Sequence, residues 1–310
     1  MRRQCHLAKR RARVLPRTIY ATPMGIEGLT GLELEPVRFR IAGEKVAEYV
    51  AATGDDPERW VESAPPSYAG ALLFVAAPLL LDREDVKAQT KVLVHVDQQF
   101  NWRRPLAIGS ELVLRGRVSK VRTRGVSAFV SFAVEIDSGG ERLMDSMSTF
   151  LLGEESAAEP GIDPGEPPAS MRGPNEMPLK IQHAGAGSPL PSLAKSASRI
   201  DLVRYAGASG DFNPIHYDHE AARVSGLDGI VVHGLLMGAW MSQLAAATSQ
   251  RPDPLAELRL RFRTALRPAV AAAVTGMVAG EPDAGEQRID LSVSADGVDL
   301  VTGHATVRTG

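Results

Sequence analysis

The strongest constraint on the fold of this 310-residue chain is an internal repeat. The stretch YVAATGDDP at residues 49–57 resembles YAGASGDFNP at residues 205–214, and QFNWRRP at residues 99–105 resembles RFRTALRP at residues 261–268. The first pair of matches lies 156 positions apart and the second 163 positions apart. Self-similarity at a nearly constant offset indicates repeated structural units. We therefore expect two copies of one domain.

Both copies predict the same order of secondary structure. A short helix precedes each Gly-Asp turn; in the second copy Ser198 can cap it, and Ile200, Val203 and Ala206 form its apolar stripe. An apolar run follows, at residues 69–81 and 234–247, and a helix without a polar face should be buried. A buried helix wrapped by a curved antiparallel sheet satisfies this order, so the predicted fold class is α+β. The alternating strands are expected at residues 92–100, 111–121, 127–136 and 142–152, and at residues 257–263, 271–279, 288–294 and 300–307.

The segments outside the two copies differ in composition. Residues 1–23 contain seven Lys and Arg residues and no acid, and they lack the apolar core of a signal peptide. We interpret them as a disordered basic tail, or as the product of a start codon upstream of Met24; a nucleic-acid-binding arm is the alternative. Residues 153–184 are rich in Pro, Gly and Glu and are predicted to form a linker. The predicted domains are therefore residues 24–152 and 185–310.

Composition narrows the classes of function. The net charge of −2 gives no electrostatic reason to expect a nucleic-acid partner. The longest apolar run has 13 residues and contains Pro78, so it is too short for insertion across a membrane. Cys5 is the only cysteine, which excludes an internal disulfide and a multi-cysteine zinc site and agrees with a cytoplasmic location.

A polar cluster distinguishes the second copy from the first. The segment SGDFNPIHYD at residues 209–218 places Asp211, Asn213 and His216 within six positions. Asp211 and His233 are 22 positions apart, whereas their apparent counterparts, Asp55 and Tyr68, are 13 apart. The first copy keeps the aspartate but has no residue that matches His216. Although Asp and Asn are common turn residues, a plain turn would not need the histidine, so we expect chemistry in the second copy.

The second copy resembles a known enzyme family. SGDFNPIHYD followed by GLDGIVVHGLLMGAW is similar to the signature of MaoC-like (R)-specific enoyl-CoA hydratases and 3-hydroxyacyl-thioester dehydratases, and the likeness is close over residues 198–240. YVAATGDDP and APPSYAG resemble the degenerate N-terminal domain of the two-domain members, the FAS1-like dehydratase type. The resemblance implies a double hot dog fold, in which two tandem domains pair as a pseudo-dimer and form one active site; a homodimer of the chain is also compatible with it.

The same resemblance implies an activity. Family members add water reversibly to trans-2-enoyl thioesters to give (3R)-3-hydroxyacyl thioesters, with no cofactor, and the matching catalytic pair is Asp211 and His216. The chemistry suits these residues, because water needs a base, the α-carbon needs an acid, and two groups on one face of the substrate can share one water. Asn213 could hold that water or orient the pair. The acyl group would be carried by coenzyme A or by acyl carrier protein, which present the same pantetheine arm.

Other residues are candidates for binding the thioester. Gly234 starts the buried helix, where an amide N–H without an intrahelical partner could stabilise the developing oxyanion. In LRLRFRTAL, Arg259, Arg261 and Arg263 either form the wet face of a strand or contact the phosphates of coenzyme A. Because the first copy lacks nine positions, the small residues Gly70 and Ala71 are expected to line an acyl-chain pocket.

Three further interpretations stay open. His233 can pack beneath the site or bond the backbone there. A metal site at HYDH is not expected, because His216, Asp218 and His219 are too close in sequence to share one face of a strand; Asp218 more readily caps a short helix. The alternative functions are hydrolysis of acyl thioesters and non-catalytic binding of acyl thioesters, since a fold alone does not determine a reaction.

Overall fold

The computed structural model describes residues 25–153, 173–177 and 185–309. The predicted tail at residues 1–23 and most of the predicted linker lie outside the described residues. The seven helices are α1 (Gly43–Thr53), α2 (Ala69–Ala76), α3 (Pro78–Leu81), α4 (Glu84–Lys87), α5 (Arg199–Ser209), α6 (His219–Val224) and α7 (Gly234–Ala246) of the described chain. Short 3-10 turns cover Ile26–Leu29, Pro66–Tyr68 and Pro214–His216.

Ten strands form a single antiparallel sheet in the described residues. They are β1 (Val37–Arg40), β2 (Val92–Trp102), β3 (Glu111–Arg124), β4 (Ser127–Ser138), β5 (Glu141–Gly153), β6 (Leu193–Lys195), β7 (Leu255–Phe262), β8 (Ala272–Asp283), β9 (Glu286–Ala295) and β10 (Val298–Arg308). Their order, β1-β3-β4-β5-β2-β7-β10-β9-β8-β6, reads as two equivalent halves that meet at β2 and β7. Each half is a hot dog domain, so the prediction of two copies paired within one chain is confirmed.

The junction between the halves is an antiparallel strand pair. Asp97 pairs with Arg261 and Asn101 with Glu257, which makes the sheet continuous across both domains. Side chains add further ties: the guanidinium of Arg59 donates to the carbonyls of Ala246 and Ser249, each at 2.9 Å, at the C-terminal end of α7. Ala246 is the last residue of α7 and Ser249 lies in the turn that follows, so a side chain of one domain donates to the C-terminal end of the other domain's central helix.

The buried helices differ between the two halves. Every residue of α7 after Gly234 is buried, as its apolar sequence predicts. The expected helix at residues 69–81 was wrong in its length, because it breaks at Pro78 into α2 and α3. Proline has no N–H to donate and its ring clashes with the preceding turn. The first half therefore has a shortened central helix.

The helices before the two Gly-Asp turns confirm the repeat. Both α1 and α5 end at a glycine in the left-handed conformation, Gly54 with φ 64° and Gly210 with φ 79°. Ser198 caps α5 in a reciprocal capping box with Asp201, as expected. The expected apolar stripe of α5 was wrong at Ile200 and Val203, which are 38% and 63% exposed, and right at Ala206, which is buried. The buried residues are Leu202, Tyr205, Ala206 and Ser209, which share one face of the helix at i, i+3, i+4 and i+7. On this face Tyr205 packs against Tyr49 of α1.

The nine additional positions of the second copy hold two elements. The 3-10 turn Pro214–His216 and helix α6 lie between α5 and α7, whereas the first copy passes from α1 to α2 with only the 3-10 turn Pro66–Tyr68. Asp218 caps α6 by accepting from the amides of Glu220 and Ala221, as expected. No helix in the described part of the chain combines the length and the apolar character needed to cross a membrane.

Candidate active site

The polar cluster of the second copy opens onto a large cavity between the two halves. The cavity has a volume of about 940 Å³, and its walls include the segment 210–216 and the start of α7 from the second half. The first half contributes residues of α2 to α4, β2 and β5: Phe74, Pro78, Leu81, Val86, residues 93–96, Phe150 and Leu152, together with the polar Asp82, Lys87, Thr90 and Lys91. Most of these first-half side chains are apolar. The site therefore combines a polar corner from one domain with an apolar wall from the other.

Asp211 and His216 form a close, buried pair at this polar corner. They are 7% and 6% exposed, and Oδ2 of Asp211 lies 4.0 Å from Nε2 of His216. The other ring nitrogen, Nδ1 of His216, lies 2.8 Å from the carbonyl oxygen of Val231. Since a carbonyl can only accept, Nδ1 carries the proton and Nε2 has a free lone pair directed at the aspartate side.

Burial shifts the pKa values of Asp211 and His216 in opposite directions. Desolvation raises the pKa of Asp211 and lowers the pKa of His216, while each group favours the charged form of the other. In water their pKa values differ by roughly 2.6 units, at about 3.9 and about 6.5. Both net shifts favour the neutral forms, a protonated carboxyl at Asp211 and a neutral imidazole at His216.

Asn213 fixes the loop that carries the pair. Its side-chain Oδ1 accepts from the amide of Ile215 at 3.4 Å and starts the 3-10 turn, while Nδ2 donates to the carbonyl of Leu93 on β2 at 3.2 Å. Both ends of the amide are thus engaged with the backbone. This geometry favours the orienting role among the two roles expected for Asn213, and it ties the loop to the neighbouring domain.

Gly234 begins α7 on the cavity wall, as expected. A Cβ atom at this position would lie 2.9 Å from Cε1 of Phe262, a distance that requires one of the two groups to move. The first amides of a helix have no intrahelical acceptor and carry a partial positive charge. Glycine therefore makes room for the ring of Phe262 and leaves the first residue of α7 on the cavity wall.

His233, the residue before α7, lies in direct contact with the pair. Its ring stacks on the ring of His216, with centroids 3.7 Å apart and planes 23° apart. Its Nε2 lies 3.2 Å from the backbone oxygen of Asp211. The expectation that His233 packs or bonds the backbone beneath the site agrees with its bond to Asp211, but nothing in the spacing of residues 216 and 233 reveals that the two rings meet.

The three candidate arginines are placed differently. Arg263 follows β7 and lines the cavity, and its Nε donates to Oγ1 of Thr302 at 2.9 Å. Arg259 and Arg261 are exposed on β7 but do not line this cavity. Alternation along β7 places Arg259 and Arg261 on its solvent-exposed face. Of the three arginines, only Arg263, just after the strand, lines the cavity.

The acyl-chain pocket expected at Gly70 and Ala71 is not where the cavity lies, and we correct that expectation. Neither residue lines the cavity, and Ala71 is only 6% exposed. Gly70 instead faces Leu235 of α7 and the hydroxyl of Tyr205, so its small size allows close packing of helices. The first-half wall starts one turn later, at Phe74, and continues through Pro78 and Leu81.

Asp211, His216 and His233 also place their potential ligand atoms within 4.8 Å of one another. Their arrangement is poor for a metal. The lone pairs of imidazole nitrogens lie in the ring planes, and the two stacked planes do not converge on one point. One nitrogen of each ring is already bonded to a backbone carbonyl.

The counterpart of the site in the first half is filled. Asp55 is buried, and Lys195 of β6 reaches towards it, with Nζ 3.3 Å from the carbonyl of Gly54 and 3.1 Å from Oδ1 of Asn175. Burial lowers the pKa of Lys195 to about 8 and raises the pKa of Asp55. Asn175 itself packs against Gly54. The large cavity thus faces the second-copy cluster only, within the described part of the chain.

Comparisons with known proteins agree with this architecture. Residues 180–294 match the model of the MaoC-like domain, and residues 28–146 match that of the FAS1-like dehydratase domain region. The 3-hydroxyacyl-thioester dehydratase X of Mycobacterium tuberculosis is 25% identical over 240 residues, which cover 77% of each chain. The probable enoyl-CoA hydratase 2 of Dictyostelium discoideum is 24% identical over 74% of this chain and 79% of its own.

A solved structure described as a MaoC-like dehydratase superposes with a TM-score of 0.75 and 20% sequence identity, over 92% of this chain and 99% of that one. The order of strands, the cluster in the second copy and the two adjacent family matches lead to one assignment. The chain belongs to the MaoC-like dehydratase family, as a two-domain member with a double hot dog fold.

Proposed function

We propose that this hydro-lyase adds water reversibly to the double bond of trans-2-enoyl thioesters and so forms (3R)-3-hydroxyacyl thioesters. The observation that carries the proposal is the buried Asp211–His216 pair, 4.0 Å apart, at the polar corner of a largely apolar cavity. The names of the relatives, a 3-hydroxyacyl-thioester dehydratase and a probable enoyl-CoA hydratase, describe the two directions of such a reaction.

In the hydration direction, the pair activates one water. A gap of 4.0 Å is too long for a direct hydrogen bond but lets one water bond to both groups. Nε2 of His216 removes a proton from this water as its oxygen bonds to C3 of the substrate. The electrons of the double bond move towards the thioester carbonyl, and the neutral Asp211 carboxyl gives its proton to C2. The proton on His216 then returns to the Asp211 carboxylate and restores the pair.

The thioester oxygen gains negative charge between these two proton transfers. The amide of Gly234 at the start of α7 is our proposed donor to that oxygen, since it lines the cavity beside the pair. Its fixed position avoids reorganisation during the reaction. Because Asp211 and His216 lie on one loop, water and proton reach the same face of the double bond. We therefore propose syn addition, with the (3R) hand that the family resemblance implies.

The cavity also supports a proposal about the acyl group. Its volume of about 940 Å³ and the apolar side chains around the α2–α3 break suit medium or long acyl chains. The chain would extend from the polar corner along Phe74 and Leu81. The carrier would enter past Arg263, whose charge suits a phosphate of either coenzyme A or acyl carrier protein.

The direct test is hydration of crotonyl-CoA and of trans-2-decenoyl-CoA by the Asp211→Asn and His216→Ala variants. Each variant should lose activity by about 100-fold or more, because it removes one of the two proton-transfer groups. His304→Gln, which changes a histidine of β10 outside the cavity, is the matched control. Coupling of the product to a (3R)-specific and a (3S)-specific dehydrogenase reports the hand.

Three outcomes separate the candidate functions. Loss of enoyl absorbance by the wild-type protein indicates hydration, release of free thiol indicates hydrolysis, and neither signal indicates binding without catalysis. Near-normal hydration by either folded variant would contradict the assigned roles of the pair. Product seen only in the (3S) assay would contradict the proposed hand.

A further inference from the structure

His233 contacts both members of the candidate pair through different parts of its side chain. The side chain is fully buried, the face of its ring stacks on His216, and its Nε2 bonds to the backbone oxygen of Asp211. These two contacts are made to Asp211 and His216, which lie at opposite ends of the loop segment 211–216. A single residue outside the loop therefore defines both the plane of the imidazole and the position of the aspartate backbone.

The hydrogen bonds around the two rings determine their tautomers. Nε2 of His233 must donate, because the backbone oxygen of Asp211 can only accept, and Nδ1 then carries the lone pair. That Nδ1 is buried without a hydrogen-bond partner among the described residues. In the stacked ring the tautomer is the reverse, with Nδ1 of His216 protonated and Nε2 free.

The surroundings of His233 keep it neutral during turnover. Desolvation lowers its pKa well below the ordinary value, and the neighbouring His216 lowers it further. The titratable groups that face it are Tyr205 of α5, at a centroid distance of 4.9 Å, and Asp211 and His216 of the loop. When His216 takes a proton from water, the neutral ring beneath presents its π-face to the new cation, which is a favourable arrangement.

We propose that His233 is a positioning residue that holds Asp211 in place through its hydrogen bond and stabilises protonated His216 through its stacked ring. This inference rests on the proposed hydration chemistry for its kinetic consequence. The predicted effect of the stacked ring on the pKa of His216 does not depend on any reaction.

Two substitutions separate the two contacts. His233→Phe keeps a flat ring but loses the donor to Asp211, and His233→Gln keeps an amide donor but loses the ring. We expect each variant to reduce kcat by about 10- to 100-fold with little change in KM, because the pair is displaced rather than removed. Only His233→Gln should lower the pKa of His216, by about half a unit or more. The acid limb of its pH–rate profile should move to lower pH accordingly.

The measurement is a titration of histidines labelled with nitrogen-15, followed by NMR in wild type and both variants, beside kinetics and melting curves. It reports the tautomer and the pKa of His216 even if the wild-type protein hydrates none of the tested thioesters, so failure of the proposed function is recognised separately. The proposal is overturned if His216 keeps its wild-type pKa in His233→Gln. It is also overturned if both variants keep wild-type kcat when folded, or lose activity only in proportion to lost stability.

Discussion

Replacement of Gly234 by alanine is expected to damage catalysis more than it damages stability. The new Cβ atom would lie 2.9 Å from Cε1 and 3.0 Å from Cδ1 of Phe262. Carbon atoms in ordinary contact are about 3.5–4.0 Å apart, so the ring edge must retreat by roughly 0.5–1 Å. The ring already packs against His95 of β2, at a centroid distance of 5.0 Å, and this movement therefore disturbs the cavity wall.

The expected cost in stability is small because two effects oppose each other. Overpacking of a core costs about 1–3 kcal/mol. Alanine is better than glycine in a helix by up to about 1 kcal/mol, although less at the first helical position. The net loss in free energy of unfolding should thus be about 0–2 kcal/mol.

Catalysis should fall further, although the backbone N–H of residue 234 is retained. The methyl group would push the start of α7 and the ring of Phe262 apart on the cavity wall, and displacement of reacting groups by about 1 Å can cost a factor of about 100. We expect kcat/KM for crotonyl-CoA to fall by about 30- to 100-fold. The assay compares initial hydration rates with urea unfolding curves of the same preparation.

Gly238→Ala is the matched control in the same helix. Its Cβ would lie 2.5 Å from Cδ1 of Leu260, which is the flexible end of a side chain, and Gly238 does not line the cavity. This variant should lose a similar amount of stability and keep near-normal kcat/KM. Equal kinetic losses in the two variants, or normal kinetics in Gly234→Ala, would refute the role assigned to the start of α7.

Two further predictions concern binding and pH. Arg263→Ala should raise KM for acyl-CoA about 10-fold with kcat unchanged. Arg259→Ala, which changes an exposed residue of β7 outside the cavity, should change neither constant, and equal effects of the two variants in steady-state kinetics would exclude a specific role for Arg263. Burial lowers the pKa of His95 to about 4, so between pH 6.5 and 4 the unfolded chain binds a proton that the folded protein does not. Stability should therefore fall as the pH falls through this window, by up to about 3 kcal/mol from His95, and urea midpoints of His95→Gln should decline less steeply than those of wild type.

The sequence allowed much of the architecture to be predicted because the relevant signals are local. The two Gly-Asp turns require left-handed glycines at Gly54 and Gly210, and both copies carry them at matching places. Period-two alternation located all eight long strands, although the observed strands extend beyond several of the expected limits. The polar cluster was visible because Asp211, Asn213 and His216 lie within six positions.

The parts that the sequence did not reveal depend on contacts between distant segments. The carbonyl of Leu93 is 120 positions from Asn213, and any residue type could supply it. The stack of His216 on His233 likewise leaves no trace in their spacing. The shift of the apolar wall from Gly70 to Phe74 did have a signal, since Pro78 interrupts the apolar run, but the run was interpreted as one helix.

The bond from Asn213 to the carbonyl of Leu93 has a consequence for how the gene can be divided. A chain cut between residues 154 and 172 would yield two polypeptides, and the one that carries Asp211 and His216 would lack the strand that anchors their loop. Activity of the separated pieces should then fall on dilution, because the C-terminal piece must first bind the N-terminal piece that carries Leu93. In the fused chain the anchor is present at a high effective concentration however dilute the protein is. The N-terminal half would thus act as a permanently attached subunit of the enzyme, even though its own copy of the site is filled.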